Sequence, residues 1–444
     1  MSKKRNRRDF LQISATAGVG YWALGGIAAA DSDSANEQLQ IACVGVGGKG
    51  KSDTTNASKF GKIVALCDID QQTLDGMENQ FNTGRTFNDY RRLFDELGDK
   101  IDVVTVSTPD HMHATIAAAA MKLGKHVYCQ KPLTRTIWEA RRLGGIAAEM
   151  GVATQMGNQW TAYNPMRKAA YQIKAGNLGT VSEVHVWTNR PVWPQGGERP
   201  SPVTAPDHVN WDLWLGCAPK RPYCHDTYHD FKWRGWWDFG TGALGDMACH
   251  TCNLPFMALN MRDPVAVEAE TSGHNADSYP EWSKIKFEFP ELDGRAAFTL
   301  FWYDGGKKPD NSLFSEVTIK NDNGSPAPSP SGVMIIGDKG KMYAAGDYAD
   351  KGVEILGADE MKVEYPRSRG HVREFYDAIH DSSKPAMSNI VDYSGPLTET
   401  ILLGNLAVWK GARVEWDAKK LVPLNDESLM KIVKPEYENG YEMI

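Results

Sequence analysis

The sequence predicts an α/β doubly wound parallel sheet followed by an α+β domain with a large, mostly antiparallel sheet. Three observations carry this. Between Gln38 and Gly157, short, continuously apolar strand patterns alternate with helical ones, as in a sheet covered on both faces. The first of these strands runs straight into a glycine-rich turn and a helix. Beyond Val181 the strands change character and alternate apolar with polar residues at period two.

Residues 1–30 stand outside this fold. Lys3, Lys4, Arg5, Arg7 and Arg8 precede Phe10-Leu11 and a moderately apolar Gly/Ala run that ends in Ala28-Ala29-Ala30. Asn6-Arg7-Arg8-Asp9-Phe10-Leu11 resembles a twin-arginine export signal. The expectation is a partnership with that export machinery and a periplasmic destination. Proteins on this route cross already folded, which suits an enzyme that takes up its cofactor before export. No Cys ends the apolar run, so a lipoprotein anchor is not indicated.

The chain has 444 residues and a net charge of −7 that includes a basic leader, so the remainder is more acidic. An acidic body with no basic cluster argues against nucleic-acid binding. Seven cysteines, an odd number, do not suggest a disulfide framework. Cys249 and Cys252 flank His250 as a C-x-x-C, but no second pair matches their spacing, so packing is preferred to a metal site.

The organising stretch is Leu39 to Asp53. A buried strand leads into Gly45-Val46-Gly47-Gly48-Lys49-Gly50, a G-x-G-x-x-G turn. The first glycine permits the turn, the second lets a pyrophosphate approach the backbone, and the third lets the helix pack on the sheet. A second buried strand, Ile63 to Cys67, ends in Asp68, placed to hold the adenosine ribose hydroxyls. Together these predict a Rossmann dinucleotide-binding domain over residues 36–155. Asp70 adds negative charge beside Asp68, which favours NAD over NADP.

Helices are expected near Gln71–Phe81 and Phe87–Leu97, then a strand from Asp102 to Ser107 ending at Thr108-Pro109-Asp110. An Ala-rich helix follows from His111, then a strand from His126 ending at Gln130-Lys131-Pro132. Ligands bind beyond the carboxyl ends of such strands. Gly45, Gly47, Gly48, Gly50, Asp68, Thr108, Pro109, His111, Gln130 and Lys131 are therefore the expected cofactor contacts. Pro132 keeps Lys131 out of helical backbone and turns it toward the crevice.

Residues 156–444 form the second domain, expected to bind substrate and to make a dimer or tetramer through its sheet. Asn158-Gln159-Trp160 opens it, and a Pro/Gly-rich loop runs from Asn189 to Asn210. Tryptophans, tyrosines and histidines are dense between Trp187 and Trp237. Such residues can stack on sugar rings while polar neighbours take hydroxyls, so Asn158, Gln159, Asn189, Arg190, Trp193, Tyr228, His229 and Trp237 are candidate substrate contacts. Asp246 and His250 lie four apart on one face of a helix. Strands are expected at 265–272, 283–289, 295–303, 316–319, 333–336, 341–344 and 352–356, and closing helices at 371–381 and 395–408.

The Gly45/Gly47/Gly50 turn, Asp68, Thr108-Pro109-Asp110-His111, Lys131-Pro132 and Asp246-x-x-x-His250 occur in one order along the chain. In this the sequence resembles the Gfo/Idh/MocA family of glucose–fructose oxidoreductase and inositol dehydrogenase. The family's usual Glu before Lys-Pro is Gln130 here. The resemblance implies a catalytic set of Lys131, Asp246 and His250. Histidine, with an unperturbed pKa near neutrality, can take a hydroxyl proton, and Lys131 can stabilise the resulting charge. It also implies a carbohydrate substrate and an NAD(P)-dependent oxidoreductase acting on a secondary hydroxyl of a sugar, polyol or glycoside, with tightly bound cofactor. Relatives that cleave glycosides with catalytic NAD offer the alternative, an oxidation–elimination that is redox-neutral overall.

Overall fold

The computed structural model describes residues 38–292, 294–320, 324 and 328–443. The leader expectation lies outside these residues, as do residues 321–323 and 325–327.

The first sheet has six strands, all parallel, in the order β3-β2-β1-β4-β5-β6. These are β1 (Gln40–Val44), β2 (Lys62–Cys67), β3 (Thr86–Phe87), β4 (Val103–Val106), β5 (His126–Cys129) and β6 (Thr154–Met156). Helices α1 (Lys49–Ala57), α2 (Gln71–Phe81), α3 (Tyr90–Leu97), α4 (Asp110–Lys122) and α5 (Ile137–Met150) connect them. Tyr90, Leu93, Phe94 and Leu97 of α3 are buried at the i, i+3, i+4, i+7 spacing of one helical face, and Asp89 caps its first turn. Thr136 and Glu139 form a capping box that starts α5 shortly after Lys131-Pro132. The Lys131 turn is thus held between a central strand and a fixed helix start.

Helix α6 (Asn164–Lys174) leads to a nine-stranded sheet in the order β13-β12-β11-β7-β10-β9-β8-β14-β15. Its strands are β7 (Val181–Trp187), β8 (Ala266–Thr271), β9 (Ser283–Phe289), β10 (Phe298–Tyr303), β11 (Gly332–Gly337), β12 (Lys341–Ala345), β13 (Val353–Leu356), β14 (Val414–Asp417) and β15 (Val422–Pro423). Only β7 and β10 pair in parallel; the other neighbours are antiparallel. On β9 and β10 the alternate residues Ile285, Phe287, Phe289, Phe298, Leu300 and Trp302 are buried. Between β7 and β8 the chain forms α7 (Trp211–Leu215), α8 (Gly242–Thr251) and α9 (Asn253–Leu259).

Helix α10 (His371–His380) returns to the first sheet, where Phe375 and Tyr376 join Ile41, Leu66, Val103 and Tyr128 in one core cluster. Helix α11 (Gly395–Lys410) buries Leu397, Ile401, Leu402, Leu403 and Leu406 against α5, β8 and β9. Each such side chain contributes about 1.5–3 kcal/mol. Helix α11 thus anchors the second sheet to the first domain.

Residues 316–319 do not form the expected strand. The amides of Thr318 and Ile319 donate to the Glu354 carboxylate instead of to a neighbouring backbone. A side chain has replaced the ladder. Strands β3, β14 and β15 are too short to leave a period in the sequence.

Candidate active site

A cavity of about 310 Å³ follows the carboxyl ends of the parallel strands, from the Gly45 turn to Lys131. Gly45 has φ +76°, and a Cβ there would fall 2.7 Å from the Ser107 carbonyl carbon. A Cβ on Gly50 would fall 1.9 Å from the Gly45 oxygen. Both glycines are therefore obligatory for the close approach of turn, helix and strand. No side chain caps the start of α1, which borders the cavity with Gly47, Gly48 and Lys49. Thr108 Oγ1, also at the cavity, is buried without a partner. An uncapped helix start and an open hydroxyl fit the phosphates of a dinucleotide.

Asp68 lines the same cavity, but its carboxylate is already engaged. Oδ2 accepts from the amides of Val46 (2.8 Å) and Gly47 (3.2 Å), and Oδ1 from that of Asp70 (3.0 Å). It holds the glycine turn as well as standing where a ribose is expected. Burial, opposed by these amides, raises its pKa. Asp70 caps α2 and meets His208 and His229, each at 3.2 Å. Burial alone would raise Asp70, but the Thr73 amide and the two imidazoles hold it below the usual carboxylate range.

At the other end, Lys131 Nζ donates to Asp246 Oδ1 (2.9 Å) and to the Asp246 carbonyl (3.0 Å). Arg234 Nε donates to the same Oδ1 at 3.1 Å. Burial opposes both charges of the pair, yet their mutual attraction wins: Asp246 lies at about 2 and Lys131 is raised. Two cations thus share one carboxylate. The guanidinium of Arg234 also lies over Trp233 (4.2 Å) and Phe231 (4.5 Å), which fix its direction.

His250 sits one helical turn beyond Asp246 and is buried, with Nδ1 lacking a partner. The Tyr348 ring meets it edge-on at 4.9 Å and stacks on Trp160 at 5.0 Å. Burial, then the Lys131 charge, push His250 well below its ordinary 6.5. The imidazole is uncharged.

Gln130 Nε2 donates to Asp53 Oδ2 (2.8 Å), which also accepts from Ser107 Oγ (2.9 Å), while Asp53 Oδ1 takes Lys49 Nζ (2.6 Å). Gln130 Oε1 accepts the Lys131 amide at 3.2 Å. The negative charge absent at position 130 is present one layer away, on Asp53.

Several expected contacts are placed elsewhere. His111 is fully buried beside Trp214 and Phe239 and its Nε2 meets the Trp214 carbonyl at 3.0 Å, so it packs the domain and does not line the cavity. Asn158 is buried with Ser388 on its side chain. Gln159, with its amide turned to satisfy both neighbours, accepts from Lys49 Nζ (2.9 Å) and donates to the Gly157 carbonyl (3.2 Å). Tyr228 lies inside an aromatic cluster and receives Arg199 on its hydroxyl. Trp237 stacks on Tyr279 at 3.7 Å within the core. The aromatic run is mostly core, because rings this large are buried wherever the loop can fold over them.

His229 faces the cofactor cavity and Asp70. Trp193 packs beside Phe231 (6.1 Å). Arg190 pairs with Asp347 (3.7 Å), and Asn189 lines a second cavity of about 240 Å³ with Asp347 and Tyr348. Arg234, Asp53 and Tyr348 were not singled out from the sequence. Only Arg234 left a signal there, as a cation inside the aromatic run twelve positions before Asp246.

A parallel sheet with a glycine turn, a cavity along the carboxyl ends of its strands and an ionic cluster at its far end define a Rossmann-type, NAD-binding protein. The comparisons agree. Residues 39–158 match the model of the Gfo/Idh/MocA oxidoreductase family, NAD-binding Rossmann fold, and residues 168–310 match that of its C-terminal alpha/beta domain. The chain belongs to the Gfo/Idh/MocA oxidoreductase family. It is 32% identical over 200 residues to a glycosyl hydrolase family 109 protein of Solibacter usitatus, 40% of this chain and 44% of that protein. It is 29% identical over 175 residues to levoglucosan dehydrogenase of Pseudarthrobacter phenanthrenivorans, 39% of this chain and 37% of that protein. These matches thus span less than half the length of either relative. The fold is also that of the WlbA dehydrogenase from Bordetella pertussis, solved with NADH and UDP-GlcNAcA, with TM-score 0.58, 16% identity, and coverage of 86% of this chain and 99% of that one.

Proposed function

We propose that the chain oxidises a secondary hydroxyl of a sugar, polyol or glycoside and retains its NAD between turnovers. The observation that carries this reading is the Lys131–Asp246 ion pair beside an uncharged His250 with an unpartnered ring nitrogen. Bound NAD supplies the electron-pair acceptor that such an oxidation needs, and the Gly45–Gly50 turn, Asp68, Thr108 and Lys131 would hold it. Lys131 is cationic, so it donates to the substrate oxygen and stabilises negative charge there. It has no capacity to take the proton. Asp246 stays ionised and fixes the directions of Lys131 and Arg234. His250 is the neutral acceptor for the hydroxyl proton. With two cations on one carboxylate, the cluster keeps one net positive charge toward the developing oxyanion.

A second reading has its own support. The glycosyl hydrolase family 109 relative favours glycoside cleavage, in which transient oxidation acidifies a neighbouring C–H and elimination breaks the glycosidic bond. The deciding experiment incubates purified protein with a panel of glycosides and polyols. Net oxidation gives near-ultraviolet absorbance from the bound cofactor in a single turnover. Cleavage gives many turnovers of reducing sugar without an acceptor, with solvent deuterium at the carbon beside the oxidised one. Neither signal across the panel would overturn both readings.

The Arg7-Arg8 leader supports export to the periplasm by the twin-arginine route, to be tested by fractionating cells that carry Arg7→Lys with Arg8→Lys. We also infer a homo-oligomer, dimer or tetramer, built on the sheet face that carries His185, Phe301 and Tyr303, whose rings pack together on the side away from α11. Sedimentation of the purified chain tests it.

A further inference from the structure

We propose that Tyr441 closes the adenosine end of the cofactor cavity and that residues 434–443 are the strap that keeps the cofactor in place. The cavity has two ends. Lys131 follows β5 and Asp68 follows β2, with β1 and β4 lying between those strands in the sheet. Tyr90 follows β3, the edge strand beyond β2. Tyr441 packs against Tyr90 at 6.3 Å and carries the Arg91 guanidinium 4.4 Å over its ring. It therefore stands at the Asp68 end, 6% exposed, and it lines the cavity there with Met112, Ile116 and Leu213. A ring backed by Arg91 and Tyr90 and bordered by aliphatic side chains suits a planar heteroaromatic base. It does not suit a phosphate or a polyol.

The segment reaches this position from far along the chain and is fastened on more than one side. The Tyr437 hydroxyl donates to Glu139 Oε1 of α5 at 2.9 Å. The Glu438 amide donates to the Cys217 carbonyl at 3.0 Å, and Asn439 Nδ2 to the carbonyls of Gly216 (2.8 Å) and Ala218 (3.0 Å). Residues 216–218 directly follow α7, which itself supplies Leu213 and Trp214 to the cavity. The strap thus joins α3, α5 and the turn after α7 across one end of the site. Release of a base held there requires these hydrogen bonds to open together. Retention of NAD is then a property of the closing segment as well as of the glycine turn.

The test measures NAD release from the purified full-length holoprotein, by displacement with the fluorescent ethenoadenine analogue of NAD. Tyr441→Phe keeps the ring and should release NAD at the wild-type rate. Tyr441→Ala should release it roughly ten-fold faster or more. Asn439→Ala, which does not touch the cavity, should also accelerate release by loosening the strap. Wild-type release from both alanine variants overturns the proposal. So does Tyr441→Phe releasing as fast as Tyr441→Ala, since the ring would then not be what holds the base. If Tyr441→Ala fails to fold, Asn439→Ala decides alone.

Discussion

The side-chain amide of Gln130 donates to the carboxylate of Asp53 across 2.8 Å, linking the turn that carries Lys131 to helix α1 of the glycine motif. A carboxylate at position 130 would face a second carboxylate. Gln130→Glu should therefore destabilise the protein by about 1–3 kcal/mol, seen as a lower denaturant midpoint. Adding Asp53→Asn should restore much of the loss, because the donor and acceptor are merely exchanged. A single Gln130→Glu variant as stable as wild type would show that the contact does not govern this residue choice.

Lys131→Met and His250→Asn should each abolish turnover while leaving NAD bound. Loss of the base His250 should cost roughly 10²- to 10⁴-fold, and loss of the Lys131 charge that stabilises the oxyanion roughly 10²- to 10³-fold. Nucleotide content after gel filtration, measured with single-turnover kinetics, checks both halves. Near-normal activity in His250→Asn would remove it from the role of base.

Arg234→Leu leaves the Lys131–Asp246 pair but removes one of two cations on that carboxylate. kcat/KM should fall roughly ten- to a hundred-fold, and Arg234→Lys should recover only part, since Lys lacks the planar group that stacks on Trp233. Unchanged kinetics in Arg234→Leu would make it a wall of the cavity and nothing more. Asp246→Asn is the harsher change. It leaves two part-buried cations without their carboxylate and should cost about 1–3 kcal/mol of stability.

The pH dependence follows from His250. The active form is the neutral imidazole, and burial with the Lys131 charge depresses its pKa well below 6.5. The neutral fraction therefore persists as the pH falls past the ordinary histidine value, and the acidic limb of kcat belongs at lower pH. On the alkaline side Lys131 is raised above 10.5, so its loss of charge sets no limb near neutrality. An acidic limb at about 6.5 in the wild-type kcat profile would contradict this arrangement.

The glycine turn, the parallel strands, Asp68 and the Asp246/His250 spacing were legible in the sequence because each rests on local periodicity or on a short motif. The strand expected at 316–319 failed because the Glu354 carboxylate, far along the chain, took its amides. The sugar-facing assignment of Tyr228 and Trp237 failed for a related reason. Composition gives the number of aromatic rings, but only packing decides which of them are core.

The sequence alone determined the fold class and the cofactor class, which rest on periodicity and a glycine motif within a few residues of each other, while the choice of Lys131, Asp246 and His250 came from the resemblance to the family. Tertiary structure decided their chemical states. Lys131 and Asp246 are 115 positions apart, and their 2.9 Å contact keeps one charged and the other ionised. Burial that no local pattern encodes keeps His250 neutral. Asp53 and Tyr441 meet partners distant in sequence, Gln130 and Tyr90, so those contacts exist only once the chain has folded.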